Sequence, residues 1–276
     1  MYKAKKEGKG RCSFYSDAIL KDNSENIKLS NQLQYAIKNN ELFLYYQPQF
    51  NIATGKITGL EALVRWIHPE NGFIPPNKFI PIAEETGQIH EIEKWIIETA
   101  LNQKKAFEQD GKQDITISIN LSSKALASDI NFQGIEALFA SYDVDYSHIT
   151  IEVTETAIIA DIDVAVERLN KLKKLGMKIA LDDFGTGYSS LTHLKDIPID
   201  TVKLDRSFVK NIENDGKESI IIKAILFLAI DLGYEVVAEG IETEVQLDYL
   251  KKNNCKTGQG FLISRPLPIE EIKDKL

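Results

Sequence analysis

Along most of the chain, short apolar runs alternate with longer stretches in which apolar residues recur every three or four positions. The runs read as strands: Leu42–Phe50, Ile57–Trp66, Ile115–Leu121, Ile149–Val153, Met177–Leu181, Thr201–Leu204, Tyr234–Ala238 and a weaker one near Thr257–Leu262. The periodic stretches read as helices. One opens at Leu29 with Leu29, Leu33, Ala36 and Ile37 on one face. Asn77–Glu85, Ile89–Gln109, Phe132–Ser141, Ile162–Leu175, Lys217–Leu232, Glu244–Lys252 and Ile269–Leu276 follow. Repeated β-then-α units predict an α/β fold with a parallel sheet, most economically a TIM-like (β/α)8 barrel. The first two strands are joined only by Asn51–Lys56, with Gly55, a loop short enough for a hairpin, so one strand is expected to be antiparallel.

The polar residues then fall in a pattern. Glu61, Asn120, Glu152, Asp182 with Asp183, and Glu239 each close or follow an apolar run, and Lys203 sits inside one. In a parallel barrel the carboxyl ends of the strands are where active sites are built. The stretch Met177–Leu191 is the most pointed case. An apolar strand ends on two adjacent carboxylates, and Gly185, Thr186 and Gly187 supply a loop. Neighbouring strand residues face opposite ways, so both aspartates can converge only where the strand ends and turns. If the strand ends meet, five carboxylates stand against one lysine and four negative charges lack a partner. Repulsion would raise some of their pKa values, and two divalent cations would cancel the excess. Carboxylate and amide oxygens suit hard ions such as Mg²⁺ or Mn²⁺, and paired metals about 3.5–4 Å apart serve phosphate-ester hydrolysis. The competing readings are helix caps and solvated loop acids that never meet.

Composition narrows the classes. A chain of 276 residues with net charge −8 is a poor candidate for long nucleic acid. Two cysteines give neither a disulfide framework nor zinc spacing, which fits the cytoplasm. The most apolar window, Ile220–Ile230, is broken by Lys223 and too short to cross a bilayer, and no signal peptide is visible, although a longer protein could still be membrane-anchored. His68, His90, His148 and His193 show no ligand spacing and read as surface or loop residues. Taken singly, Lys203 reads as a snorkelling or ion-paired lysine, Gln47 as a turn residue before Pro48, and Arg65 as a surface cation–π partner of Trp66. Phe43, Tyr45 and Tyr46 read as strand packing.

Glu61-Ala62-Leu63-Val64-Arg65-Trp66 resembles the signature of the EAL domain, whose members hydrolyse cyclic di-GMP to linear pGpG. Further motifs follow in the family's order: Tyr46-Gln47-Pro48, Ser118 to Ser122, Ile151 to Glu155, Asp182 to Leu191, Val202 to Asp205, Ala238 to Thr243, and Gln259-Gly260-Phe261. The resemblance runs from Leu29 to Leu276 and implies a TIM-like barrel with one antiparallel strand. It implies that Glu61, Asn120, Glu152 and Asp182 hold a first metal, and that Asp182, Asp183 and Glu239 surround a second metal and its water. Lys203 matches the lysine that holds the attacking water and the phosphate. Gln47, Leu63 and Arg65 match substrate contacts, as do Asp205 and Gln259 in their motifs. Glu155 matches the glutamate that anchors the loop Phe184–Ser190. Glu61, Lys203, Glu239 and Asp183 are thus the expected catalytic set, with two Mg²⁺ or Mn²⁺ ions per site and a homodimer as the assembly. Residues 1–16 resemble the last helix and strand of a GGDEF domain. This predicts a fragment of a longer protein with upstream GGDEF or sensor domains, a linker at 17–28 and the EAL domain at 29–276.

Two rivals remain open at this level. One is a catalytically weak EAL domain that senses cyclic di-GMP without cleaving it. The other is a one-metal barrel in which Lys203 abstracts a proton next to a carboxylate.

Overall fold

The computed structural model describes residues 17–185, 196–212 and 217–276, with side chains described from residue 25 and, in the last segment, from residue 219. The chain divides into two compact units. The first holds helix α1 (Asp17–Ala36), strand β3 (Gly72–Ile74), the end of β2 and helix α2 (Pro76–Thr86). In it, Trp66 is fully buried, edge-on to Phe79 and His68, and its indole Nε1 donates to Glu41 Oε2 at 2.9 Å. His68 is buried too, and its Nδ1 accepts from the Glu70 and Asn71 amides, so it anchors a turn rather than facing solvent.

The second unit is a closed barrel. Its strands are β1 (Leu42–Asn51), β2 (Ile57–His68), β4 (Thr116–Asn120), β5 (Ile149–Thr154), β6 (Lys178–Phe184), β7 (Thr201–Leu204), β8 (Glu235–Ala238) and β9 (Thr257–Gln259). They run in the order β1-β9-β8-β7-β6-β5-β4-β2, and β2 pairs back to β1. From β2 through β9 the pairings are parallel, and β1 runs against β9, as the short Asn51–Lys56 connection predicts. The β3 strand, absent from the sequence reading, pairs antiparallel with the end of β2.

Alternation sets the layers. On β4 and β5 the fully buried Ile117, Ile119, Ile149 and Ile151 alternate with Ser118, Asn120, Thr150 and Glu152. Side chains of period two lie on opposite faces, so the isoleucines pack outward under the helices and the polar set faces the barrel interior. The outer helices are α3 (Ile89–Gln109), α5 (Asp129–Ala140), α7 (Ile162–Lys174), α9 (Lys217–Asp231) and α10 (Glu244–Lys252). Short helices α4 (Ser123–Ala127), α6 (Glu155–Ile159) and α8 (Arg206–Lys210) begin at strand ends, capped by Ser122, Thr154 and Asp205. The chain closes with α11 (Ile269–Ile272) and a 3-10 turn over Lys273–Lys275, not the single helix to Leu276 that periodicity predicts.

Helix α1 starts earlier than the Leu29 that periodicity predicts. It reaches back to Asp17, so the polar stretch 17–28 that reads as a linker is helical. Nothing from Asp17 to Lys28 is Gly or Pro, so a helix anchored by the buried Leu29, Leu33 and Ala36 propagates through it. Residues 1–16, assigned above to a GGDEF remnant, lie outside the described residues.

Two packing details yield predictions. A Cβ on Gly260 would sit inside the backbone of Ile241, whose N and O lie against it. Gly260→Ala is expected to cost about 1–3 kcal/mol, read as a Tm several degrees lower by scanning calorimetry. The Cys255 thiol lies against the carbonyls of Val236 and Thr257, and burial pushes its pKa up to about 12. In a Cys12→Ser background, native protein at pH 8 should therefore leave a thiol-disulfide reagent unreduced, and one thiol should react in denaturant.

Candidate active site

The barrel's carboxyl-terminal rim brings the predicted polar residues together on one point, the Lys203 ammonium. Lys203 lies mid-strand on β7, and its side chain is 2% exposed. Its Nζ stands 2.5 Å from Glu152 Oε2, 2.7 Å from Glu239 Oε1, 3.3 Å from Asp182 Oδ1 and 3.5 Å from Glu61 Oε1. A snorkelling lysine would carry its charge to solvent, and this one is enclosed by acids from β2, β5, β6 and the turn after β8.

A second layer of hydrogen bonds fixes Glu61. Asn120 Nδ2 donates to Glu61 Oε1 at 3.0 Å, and Gln259 Nε2 donates to Glu61 Oε2 at 2.5 Å. Gln259 Nε2 also reaches Gln47 Oε1 at 3.1 Å, and Gln47 Nε2 donates to the Ser264 carbonyl. Gln47 is therefore a buried strand residue of the site and no turn residue. Leu63 and Arg65 follow Glu61 at a spacing of two on β2, on the same face and half-buried. Arg65 lies 5.8 Å from the ring centroid of Tyr45, which replaces Trp66 as its aromatic partner because Trp66 is interior. Tyr46 is core, as expected, while Phe43 is exposed.

The two aspartates do not both turn into the cluster, as the sequence alone would have them do at a strand end. Strand β6 does not stop at Leu181 but runs to Phe184, and its register with β7 shifts between Leu181 and Phe184. Asp183 sits there with φ 55°, donating its amide to Asp182 Oδ1 at 2.9 Å. This bulge turns Asp182 to the cluster and leaves Asp183 exposed at the rim. Asp205 caps α8 by accepting from the Ser207 amide. Glu155 is buried at the start of α6, and its Oε2 has no partner among the described residues. Most of the loop it is expected to hold lies outside them.

The electrostatics follow from four acids sharing one cation. Burial works against charge on Glu61, but Lys203, Gln259 and Asn120 hold its pKa below the usual value. Burial and the neighbouring Glu61 push Glu152 well above it. Burial pushes Glu239 up to about 7, against the pull of Lys203. Burial, then Asp182 and Asp205, raise Asp183. Burial opposes charge on Lys203, yet Glu152, Glu61, Glu239 and Asp182 hold its pKa well above the ordinary one.

The donor set fits a hard divalent cation: carboxylate oxygens, one amide, an excess of negative charge, and a buried Glu152 Oε1 with no hydrogen-bond partner among the described residues. Among the described residues no group of three or more His, Cys, Asp or Glu is arranged to hold an ion. The carboxylates have closed on the ammonium instead, because a charged partner in low dielectric draws them in.

What sequence reasoning missed is the layer beneath. Gln49, Ser118, Thr150 and Thr201 face the barrel interior below the acids. The signal was there, in the strict polar–apolar alternation of Thr116–Asn120 and Ile149–Thr154.

The EAL domain family model matches residues 30–266. The chain belongs to the EAL domain family. Similar proteins include MucR of Pseudomonas aeruginosa, a bifunctional diguanylate cyclase/cyclic di-GMP phosphodiesterase, 36% identical over 272 residues, which cover 99% of this chain and 40% of MucR. The cyclic di-GMP phosphodiesterase NbdA of the same organism is 33% identical over 276 residues, covering 100% of this chain and 35% of NbdA. The chain thus spans less than half the length of either relative. The solved PaMucR phosphodiesterase in complex with c-di-GMP is 37% identical with a TM-score of 0.85, covering 89% of this chain and 99% of that one. Phosphodiesterases of the EAL family are divalent-metal dependent. Among the described residues of this EAL domain, no helix is long and apolar enough to cross a membrane.

Proposed function

We propose that this chain hydrolyses cyclic di-GMP to linear pGpG. The observation that carries the reading is the enclosed Lys203 with Glu61, Glu152, Asp182 and Glu239 around it, in a member of the EAL family. In this reading Glu61, Asn120, Glu152 and Asp182 would hold one divalent cation, and Asp182, Asp183 and Glu239 a second, Mg²⁺ or Mn²⁺. Such ions would offset the acids' charge and lower the pKa of water at the site.

The chain's own groups do the rest. Water oxygen bonds to one phosphorus of the ring, the bond from that phosphorus to the 3′ oxygen breaks, and the water's protons end on the 3′ oxygen and on solvent. Lys203 holds the water and the phosphoryl oxygens, and Arg65 adds positive charge from the rim. Glu239 orients the water or takes its proton. Gln47, Leu63, Asp205 and Gln259 line the substrate's approach, and Glu155 positions the loop after β6. The carboxyl cluster gives Lys203 a high pKa, which speaks against its serving as the base of a carbon-acid barrel.

Incubating the protein with Mg²⁺ and cyclic di-GMP and separating the products by chromatography tests the proposal, with pGpG as the expected product. A receptor role is the second reading. Tight binding without pGpG in either Mg²⁺ or Mn²⁺ would select it. We further propose, from the family resemblance, a homodimer, a cytoplasmic location and upstream GGDEF or sensor domains. Light scattering of the purified chain checks the dimer.

A further inference from the structure

A TIM-like barrel ordinarily fills its interior with layers of bulky branched side chains. This one does not. Its inward positions below the acids include Gly59, Ser118, Thr150, Ala180, Thr201 and Thr257, none larger than threonine, with Gln49 and Val237 the larger ones, and they line a cavity of about 640 Å³. The cavity is lined at one end by groups at the amino-terminal ends of the strands, among them Asp114, Lys178 and Glu235, and at the other by Glu152 and Lys203 themselves. Glu152 is 1% exposed, and its Oε1 is the buried acceptor without a partner among the described residues. A polar space of this size holds water, and a buried carboxylate oxygen requires a donor.

We propose that this cavity is a solvent inlet through the amino-terminal face of the barrel, bringing water to the Glu152–Lys203 floor from the side opposite the substrate. The inlet rests on the hydrolytic reading for its purpose. Each turnover consumes one water, and a dinucleotide seated on the rim covers the other entrance. A second route keeps the buried acids hydrated and resupplies the site while the mouth is occupied. The small residues at 59, 118 and 180 then have a reason: any branched side chain there would plug the barrel in the ordinary way. At Gly59 a Cβ would already press on Gln49 Oε1 at 3.0 Å.

Two experiments test the inlet. Thr201→Cys in a Cys12→Ser background places a thiol inside the cavity, and a small methanethiosulfonate should label it at equal rates with and without saturating cyclic di-GMP in EDTA, where metal-dependent turnover is stopped. Labelling blocked by the dinucleotide would put the only access at the mouth and overturn the inlet, as would failure of the folded variant to label. Ala180→Leu should plug the cavity and lower kcat about tenfold with KM and metal-binding affinity unchanged. Should that variant fail to fold, Thr150→Val, which removes a lining hydroxyl at constant shape, is expected to lower kcat by a smaller factor at unchanged Tm. Unchanged kcat in a folded Ala180→Leu or Thr150→Val protein would refute the resupply role. Absence of turnover in the wild type would strike the phosphodiesterase reading instead and leave the labelling result standing.

Discussion

Lys203→Met is expected to abolish pGpG formation and to lower stability by about 3–5 kcal/mol, the usual cost of removing one partner from a buried ion cluster. Four carboxylate groups meet at this ammonium within 3.5 Å, and no other described cation stands as close to them. Without it, their mutual repulsion in a water-poor site is uncompensated, and the pKa values of Glu61, Glu152 and Glu239, each pulled down by Lys203, rise. The sign of the pH dependence is then fixed. A carboxylate whose folded pKa lies above its unfolded one gives the folded state extra protons, so its favourable contribution is complete at low pH and is lost as pH rises through the folded pKa. In the wild type this applies to Glu239, between the ordinary 4.5 and about 7. In the variant it should apply to Glu61 and Glu152 as well. Urea unfolding should therefore show a deficit that is small at pH 5 and largest at pH 8, and millimolar Mg²⁺ or Mn²⁺ should recover part of it. A deficit independent of pH would show that Lys203 contributes packing and not charge.

Glu61→Ala is expected to reduce turnover at least about a hundredfold. Glu61 is the acceptor for both Asn120 and Gln259, so its removal strips a carboxylate from the cation-binding set and also frees two amides that orient the floor. The change in stability should have the opposite sign to that of Lys203→Met or be small, because one of four repelling acids is gone. Product analysis with Mg²⁺ over a range of concentrations separates the two effects: lost affinity is rescued at high metal, while lost orientation is not. Undiminished pGpG formation would remove Glu61 from the site.

Much of this was legible before any coordinates. Strand runs and helical periodicity determined the (β/α)8 order, because burial on a strand and on a helix demands different spacings of the same apolar residues. The rule that barrel sites form at carboxyl ends of strands picked out Glu61, Asn120, Glu152, Asp182, Lys203 and Glu239 as one constellation, since each stands at or near the end of a run. Identity of residue type sufficed there, as position along the strand places each one on the rim.

Tertiary structure decided what depends on distance. Only the shifted register of β6 against β7 separates the half-buried Asp182 from the exposed Asp183, a difference that two identical neighbouring residues cannot declare in sequence. Only the closed barrel reveals that Lys203 is encircled, because its four acids are brought in by strands far apart in the chain. The interior cavity is likewise a sum over mostly small side chains from several strands, none of which shows it alone. Local pattern determines which face a residue takes; the charge balance and the empty volume arise only once all those faces meet.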